Sequence, residues 1–316
     1  MNHLLLRRRV ALGLIPLLAI SGWALAWDLT CPLSDAFPPP IGVSPGVQIK
    51  GGTPDAVDPS FEDQLIELVN QERWTNGQLP PLKRVVELDI SSEVHSANMA
   101  SRNFAMHCDP DTGTWPWDRM VAAGYIWSSA AENIAWGYPD PAAVIAGWMA
   151  SSGHRANILS TSLRELGNGY FYESGDTGNV RRTSTSSCTP NIFNEGPFFR
   201  YWTQNFGKRN SVYPVVINRE ALVTESRDVA LFLYGSWNEM RLRNESGAWT
   251  AWLPFAANTS WQLSPGNGTK TVAAEMRSGS TVVTSTDTII LEDTGEILFI
   301  DGFESGGTSE WSAVSP

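Results

Sequence analysis

Histidine, cysteine and positive charge are all scarce in this chain. Its 316 residues hold four His, three Cys and 22 Lys plus Arg against 33 Asp plus Glu, a formal net charge of −11. Such an acidic balance repels phosphate backbones and anionic membrane surfaces, which excludes nucleic acid as a partner. No stretch beyond the first 26 residues is apolar enough to cross a bilayer, so no transmembrane segment is expected in the mature chain. The signatures of common hydrolases are also missing: there is no His-Glu-x-x-His helix and no Gly-x-Ser-x-Gly elbow. His107 and Cys108 adjoin, but sequence neighbours seldom face one another, so a thiol–imidazole dyad is a poor reading.

What is present begins with an export signal. Arg7-Arg8-Arg9, the apolar run Val10 to Ile20 and the small-x-small site Ala24-Leu25-Ala26 read as a signal peptide over 1–26. Its removal takes three arginines and no acid, moving the charge from −11 to −14. The chain is then expected to be secreted, extracellular or periplasmic, where cysteines pair. Cys31 lies in a Pro/Gly-rich flexible leader over 27–57, whereas Cys108 and Cys188 share one predicted domain, which favours a 108–188 disulfide.

Helical signals dominate residues 58–209. Ser60 and Asp63 form a capping-box pattern ahead of the stripe Phe61, Leu65, Leu68 and Val69, and Asn76-Gly77 stops that helix. A second helix is expected over about Val86 to Phe104, with Ile90, Val94, Ala97 and Phe104 inward and His95 at the border of the stripe. A third opens at Asp140-Pro141, turns Val144, Ile145, Trp148 and Met149 inward, and ends at Ser151-Ser152-Gly153. Strands are expected at Leu166 to Tyr172 and Phe199 to Phe206, with a long exposed loop over 173–197. Helices followed by strands give an α+β fold class.

Residues 210–291 read as pure β. Val229 to Tyr234, Met240 to Arg243, Trp249 to Trp252, Thr271 to Arg277 and Thr281 to Thr284 form strand patterns separated by Gly and Asn turns. Residues 212–291 also resemble an Ig-like bacterial repeat, through Met240-Arg241, Asn244, Trp249, Trp252, Trp261, Gly268-Thr269 and Asp287-Thr288-Ile289. That resemblance implies a small Ig-like β-sandwich with its aromatics in the core, acting as spacer or binding module. The tail, 292–316, carries Phe299-Ile-Asp-Gly-Phe-Glu-Ser-Gly306, is too short for a domain and resembles the ends of some exported bacterial proteins.

Signal cleavage leaves three histidines, His95, His107 and His154, all in the first unit. His107 follows the second helix, His154 follows the third, and Glu132 lies between them in sequence, so ends of different elements can bring them to one cleft. The ordered set Phe104-x-x-His107, Asp118-Arg-Met120, Ala131-Glu-Asn-Ile134, Trp148, Gly153-His-Arg-x-Asn-Ile-Leu159, Gly167-x-Gly169 and Trp202-Thr-Gln204 resembles the CAP superfamily. That group of SCP-like domains comprises cysteine-rich secretory proteins, antigen 5 and pathogenesis-related class 1 proteins, with many bacterial members. The resemblance implies an α-β-α sandwich whose cleft holds two His and two Glu. By position three of these are His107, Glu132 and His154; the fourth falls on Ser151, so the tetrad is broken, and His95 is an extra candidate for the vacated space. Two imidazoles and a carboxylate suit Zn²⁺ or another divalent transition metal, with His107, His154 and Glu132 as ligands.

These residues leave three readings: a non-enzymatic extracellular binding protein for a lipid, glycan or protein ligand; a metal-dependent hydrolase of peptides or cell-wall material; and an envelope adhesion or structural protein. No catalytic residue is assigned, and the first reading is preferred because the resemblance implies a fold more firmly than an activity.

Overall fold

A computed structural model describes residues 60–183 and 187–293. The signal segment, the whole leader with Cys31, and the tail from 294 onward lie outside the described residues. The first unit contains α1 (Phe61–Thr75), β1 (Lys83–Arg84), α2 (Val86–Ser101), α3 (Pro116–Ala122), β2 (Ser129–Trp136), α4 (Pro141–Ala150) and α5 (Ser152–Ile158). It continues through β3 (Glu165–Tyr172), the short hairpin β4 (Arg181–Arg182) and β5 (Asn191–Ile192), and β6 (Arg200–Lys208). A four-stranded sheet in the order β1-β3-β6-β2 forms the middle layer, leaving β2 on one edge.

Two local signals act as expected. The Ser60 side chain accepts from Asp63 N at 3.2 Å while Asp63 accepts from Ser60 N at 2.9 Å, closing the capping box of α1. Asp140 caps α4 at Ala143 N, with Pro141 in the first turn. The apolar faces of α1 and α4 then meet Leu166, Trp202 and Phe206 on one side of the sheet, forming a core around Trp148.

Helix α2 covers the other side and departs from the sequence expectation. It ends at Ser101, and Ile90 and Val94 are exposed. Its buried face is Leu88, Ser91, Ser92, His95, Ser96 and Met99, a largely polar set. The reason lies in β3. A Cβ on Gly167 would stand 2.2 Å from Leu88 C and Asp89 N, and one on Gly169 would stand 2.2 Å from Glu93 N. The helix backbone therefore rests directly on the strand, and only small side chains fit between them. Their hydroxyls are satisfied: Ser92 Oγ donates to Gly167 O at 3.1 Å, Ser96 Oγ to Gly169 O at 2.9 Å, and Asn205 Nδ2 donates to Ser91 Oγ at 3.0 Å.

A disulfide joins Cys108 to Cys188 across 80 residues of sequence, clamping the segment after α2 to the 173–197 region. In the chain-entropy account, closing a loop of that length stabilises by about 4 kcal/mol.

The second unit is all β. It contains β7 (Val215–Ile217), β8 (Val223–Thr224), β9 (Asp228–Leu233), β10 (Glu239–Asn244), β11 (Leu253–Pro254), β12 (Asn258–Gln262), β13 (Gly268–Ser278) and β14 (Thr281–Leu291). These form a five-stranded sheet, β11-β10-β13-β14-β8, and a three-stranded sheet, β12-β9-β7, around a core that includes Leu231, Leu242, Val272 and Met276. Trp249 to Trp252 is no strand. Arg241 packs over both Trp249 and Trp252, with ring-centroid distances of 5.0 and 4.6 Å, while Arg277 covers Trp252 at 3.9 Å. These two indoles lie on the outer face of the sheet, stacked with arginines rather than buried in the core.

The α2–β3 contact yields a paired prediction. Gly167→Ala forces backbone apart and is expected to destabilise by on the order of 3 kcal/mol, as overpacking does. Gly153→Ala, in α5 with nothing within 4 Å of the new methyl, is expected to be neutral or slightly stabilising. Urea unfolding of the two variants measures the contrast, and equal effects would refute direct helix–strand packing.

Candidate functional site

The free edge of β2 gathers the sequence-derived residues. Its alternation sends Glu132 and Ile134 toward the α2 side, where Ile134 packs with Met99, Phe104 and Tyr201. Asn133 points the opposite way. Its Nδ2 donates to His154 O at 3.2 Å and to Gln204 Oε1 at 3.3 Å, and Asn157 Nδ2 donates to Asn133 Oδ1 at 2.9 Å. Asn133 thus ties β2 to α5 through the His154 carbonyl, while the adjacent Glu132 meets His107.

Glu132 is the centre of the site. Its side chain is 2% exposed, yet both oxygens are engaged. His107 Nδ1 donates to Oε1 at 2.8 Å, and Arg119 Nη2 donates to Oε2 at 2.6 Å. Burial pushes this carboxyl up, but Arg119 first, then the histidines, outweigh it and hold its pKa down at about 2. With Nδ1–H donated to the carboxylate, Nε2 is the ring nitrogen left for a ligand, and the side chain is 41% exposed. His154 is more enclosed. Burial, with His107 as the lesser cause, lowers its pKa to about 4, so it is neutral at ordinary pH.

Arg119 entered the sequence reading only inside the Asp118-Arg-Met120 motif and was given no role at the site. It lies on α3, started by Pro116 and by Asp118 accepting from Trp115 N at 2.9 Å, a signal that could have revealed the helix. From there the guanidinium also donates to His107 O at 3.0 Å and Thr114 O at 3.1 Å. One buried cation therefore ties the carboxylate to the loop that carries the imidazole.

Two other candidates take different places. His95 is fully buried, not at a cleft border, because α2 turns its polar face to the sheet. Its Nε2 must carry the proton, since it lies 3.0 Å from the carbonyl of Met106, and Phe104 packs 5.7 Å from its ring. This bond holds the residue before His107, so His95 positions the cleft loop and does not line the cleft. Ser151 is buried at the junction of α4 and α5, where its carbonyl accepts from Arg155 N at 2.9 Å.

The sequence model of the cysteine-rich secretory protein (CAP) family matches residues 66–206, the span that contains the clamp and all three histidines. This segment is a CAP domain. YkwD of Bacillus subtilis (strain 168) is 39% identical over 116 residues, covering 37% of this chain and 44% of that protein. YlbC of the same organism, described as a membrane protein, is 30% identical over 116 residues, covering 36% and 32%. The chain thus spans less than half the length of either relative. Among solved structures, an extracellular SCP-domain protein of Bacillus anthracis is 26% identical with a TM-score of 0.36, covering 47% of this chain and 40% of that one. An outer surface protein of Borrelia burgdorferi is 17% identical with a TM-score of 0.35, covering 47% and 93%.

The buried CAP-domain groups predict acid lability. Burial lowers the His95 pKa from 6.5 to about 3. Below 6.5 the unfolded chain binds a proton that the folded chain refuses, so this contribution is complete above 6.5 and is lost as pH falls toward 3. Glu132, depressed below 4.5, adds its own loss as pH falls from there toward 2. Across pH 6 to 4, His95→Gln is expected to reduce the slope of stability against pH by about 1.4 kcal/mol per unit. Urea unfolding at stepped pH tests this; parallel slopes in both proteins would refute it.

Proposed function

We propose that the chain is a non-enzymatic extracellular binding protein whose CAP-domain cleft receives its ligand at His107 and His154. In this reading residues 210–291 form an immunoglobulin-like spacer, and the first 26 residues direct export. The disulfide between Cys108 and Cys188 accords with an oxidising compartment. The observation that carries the binding role is the saturation of Glu132. A carboxylate held at about 2 is ionised at neutral pH and a weak base, and it is already tied to Arg119 and His107. General acid–base hydrolysis calls for a group poised near the working pH, and the other expected carboxylate position is Ser151.

The donor set also suits a divalent transition metal in a limited way. Glu132 orients His107 as a carboxylate partner orients a metal-bound imidazole, leaving His107 Nε2 and the neutral His154 ring as ligands. When bound, the ion would supply a Lewis-acidic anchor for a ligand's oxygen or nitrogen atom. Titration calorimetry on chelator-treated protein is expected to show binding of Zn²⁺, Cu²⁺ or Ni²⁺ in preference to Mg²⁺ or Ca²⁺. His107→Ala and His154→Ala should each abolish it, while Glu132→Gln weakens it by about 10- to 100-fold. Undiminished Zn²⁺ binding in the double alanine variant would place the metal elsewhere. Absence of binding by the wild type would leave a lipid, glycan or protein as the occupant. Turnover of a peptide or cell-wall substrate, lost in His107→Ala, would overturn the non-enzymatic reading itself.

A further inference from the structure

The seam between the two units is built on polar groups. Asn70 Nδ2 donates to Arg219 O at 2.9 Å, Leu222 N donates to Glu67 Oε1 at 2.9 Å, and Tyr234 Oη donates to Pro81 O at 2.9 Å. Arg219 covers the Trp74 ring at 4.8 Å. These contacts grip a turn in which Asn218, Arg219 and Glu220 adopt φ values of 44°, 59° and 68° in succession. Three consecutive left-handed residues, none of them glycine, form a strained conformation that persists only where surrounding contacts enforce it. The consequence of this turn is the placement of Glu220.

Glu220 meets Lys83 of β1 and Asp287 of β14 inside the seam. Lys83 Nζ donates to Glu220 Oε1 and, at 2.6 Å, to Asp287 Oδ1. The Asp287 side chain is 1% exposed, that of Glu220 10% and that of Lys83 20%. Asp287 also receives two backbone donors: Ile217 N reaches Oδ2 at 2.7 Å and Thr288 N reaches Oδ1 at 2.7 Å. The Oε2 atom of Glu220 is buried without a hydrogen-bond partner among the described residues. The neighbouring cation, Arg84, is engaged by Asp63 and Asp89. Two enclosed carboxyl groups therefore share one amine.

We propose that Lys83 and Asp287 condense into an isopeptide bond, with Glu220 as the proton shuttle, covalently stapling the CAP domain to the β unit. Burial first raises both carboxyl groups above their ordinary range, with Lys83 opposing it, so the pair retains a proton. Burial disfavours the Lys83 ammonium, but the same two carboxyls together outweigh it and raise the Lys83 pKa. Passage of one ammonium proton to the second carboxyl gives the reactive state, an uncharged amine beside two carboxylic acids. With the Asp287 side chain 1% exposed and that of Glu220 10%, this costs less than it would in water.

The Lys83 nitrogen lone pair then attacks Asp287 Cγ and forms the N–C bond. The C=O electron pair moves to Oδ2, where the Ile217 N–H stabilises the developing negative charge. Glu220 accepts a proton from the nitrogen as its own passes to the departing hydroxyl. The Cγ–Oδ1 bond breaks, and Oδ1 leaves as water. One water is released, no redox partner is needed, and Glu220 ends with the proton count it began with. Fixed proximity replaces the encounter that makes amide condensation slow in solution.

Intact-mass analysis of the full purified chain, reduced and alkylated, is the direct test. The expected mass lies one water below that of the processed sequence. Trypsin should fail to cleave after Lys83, and the digest should contain one branched peptide joining the Lys83 and Asp287 segments. Lys83→Arg and Glu220→Gln should restore the full mass while retaining cooperative unfolding. A wild-type chain at full mass, with trypsin cutting after Lys83, overturns the proposal. A Glu220→Gln protein that still loses the water overturns the role given to Glu220.

Discussion

The close approach of α2 to β3 at Gly167 and Gly169 is the constraint on which the CAP domain depends. With no Cβ between them, helix and strand backbones come near enough for serine hydroxyls to bond strand carbonyls directly. That docking rolls His95 into the interior, where its Nε2 holds the Met106 carbonyl. Met106 leads into His107, which meets Glu132 at the sheet edge. A steric fact about two glycines is thus relayed through one buried imidazole to the cleft.

The cleft has its own logic. Burying Glu132 would ordinarily favour the protonated acid, but Arg119, itself 6% exposed, outweighs desolvation and keeps the carboxylate charged. Because Arg119 also holds the His107 and Thr114 carbonyls, the charge pair and the loop are one unit. The outcome is a rigid, asymmetric imidazole with one nitrogen occupied internally and the other presented outward. For the proposed binding role, such preorganisation would leave little ordering to be done on binding.

At the seam the balance is different. Glu132 sits between a cation and a histidine, whereas Glu220 and Asp287 compete for a single lysine in an enclosed space. Asp287 also closes the gap between the two β sheets through Ile217 N, so the same side chain serves the β unit and its junction with the CAP domain.

Features whose causes are local could be read from the chain alone. The Ser60–Asp63 and Asp140–Pro141 caps act within four residues, so α1 and α4 were legible, as were the turn-separated strands near Val229, Met240 and Thr271. The ordered motifs disclosed the CAP family, and Cys108 and Cys188 pair as their shared unit suggested. Which face of α2 is buried could not be read this way, because the glycines that set it lie some 75 residues downstream. Folding likewise stacks Trp249 and Trp252 on arginines outside the core and joins His107 to Glu132 through Arg119. Lys83 and Asp287 meet across 204 positions. Periodicity records that a helix has an apolar side, but the partner's shape decides which side is covered; charge pairing leaves no local trace at all when its members arrive from different units.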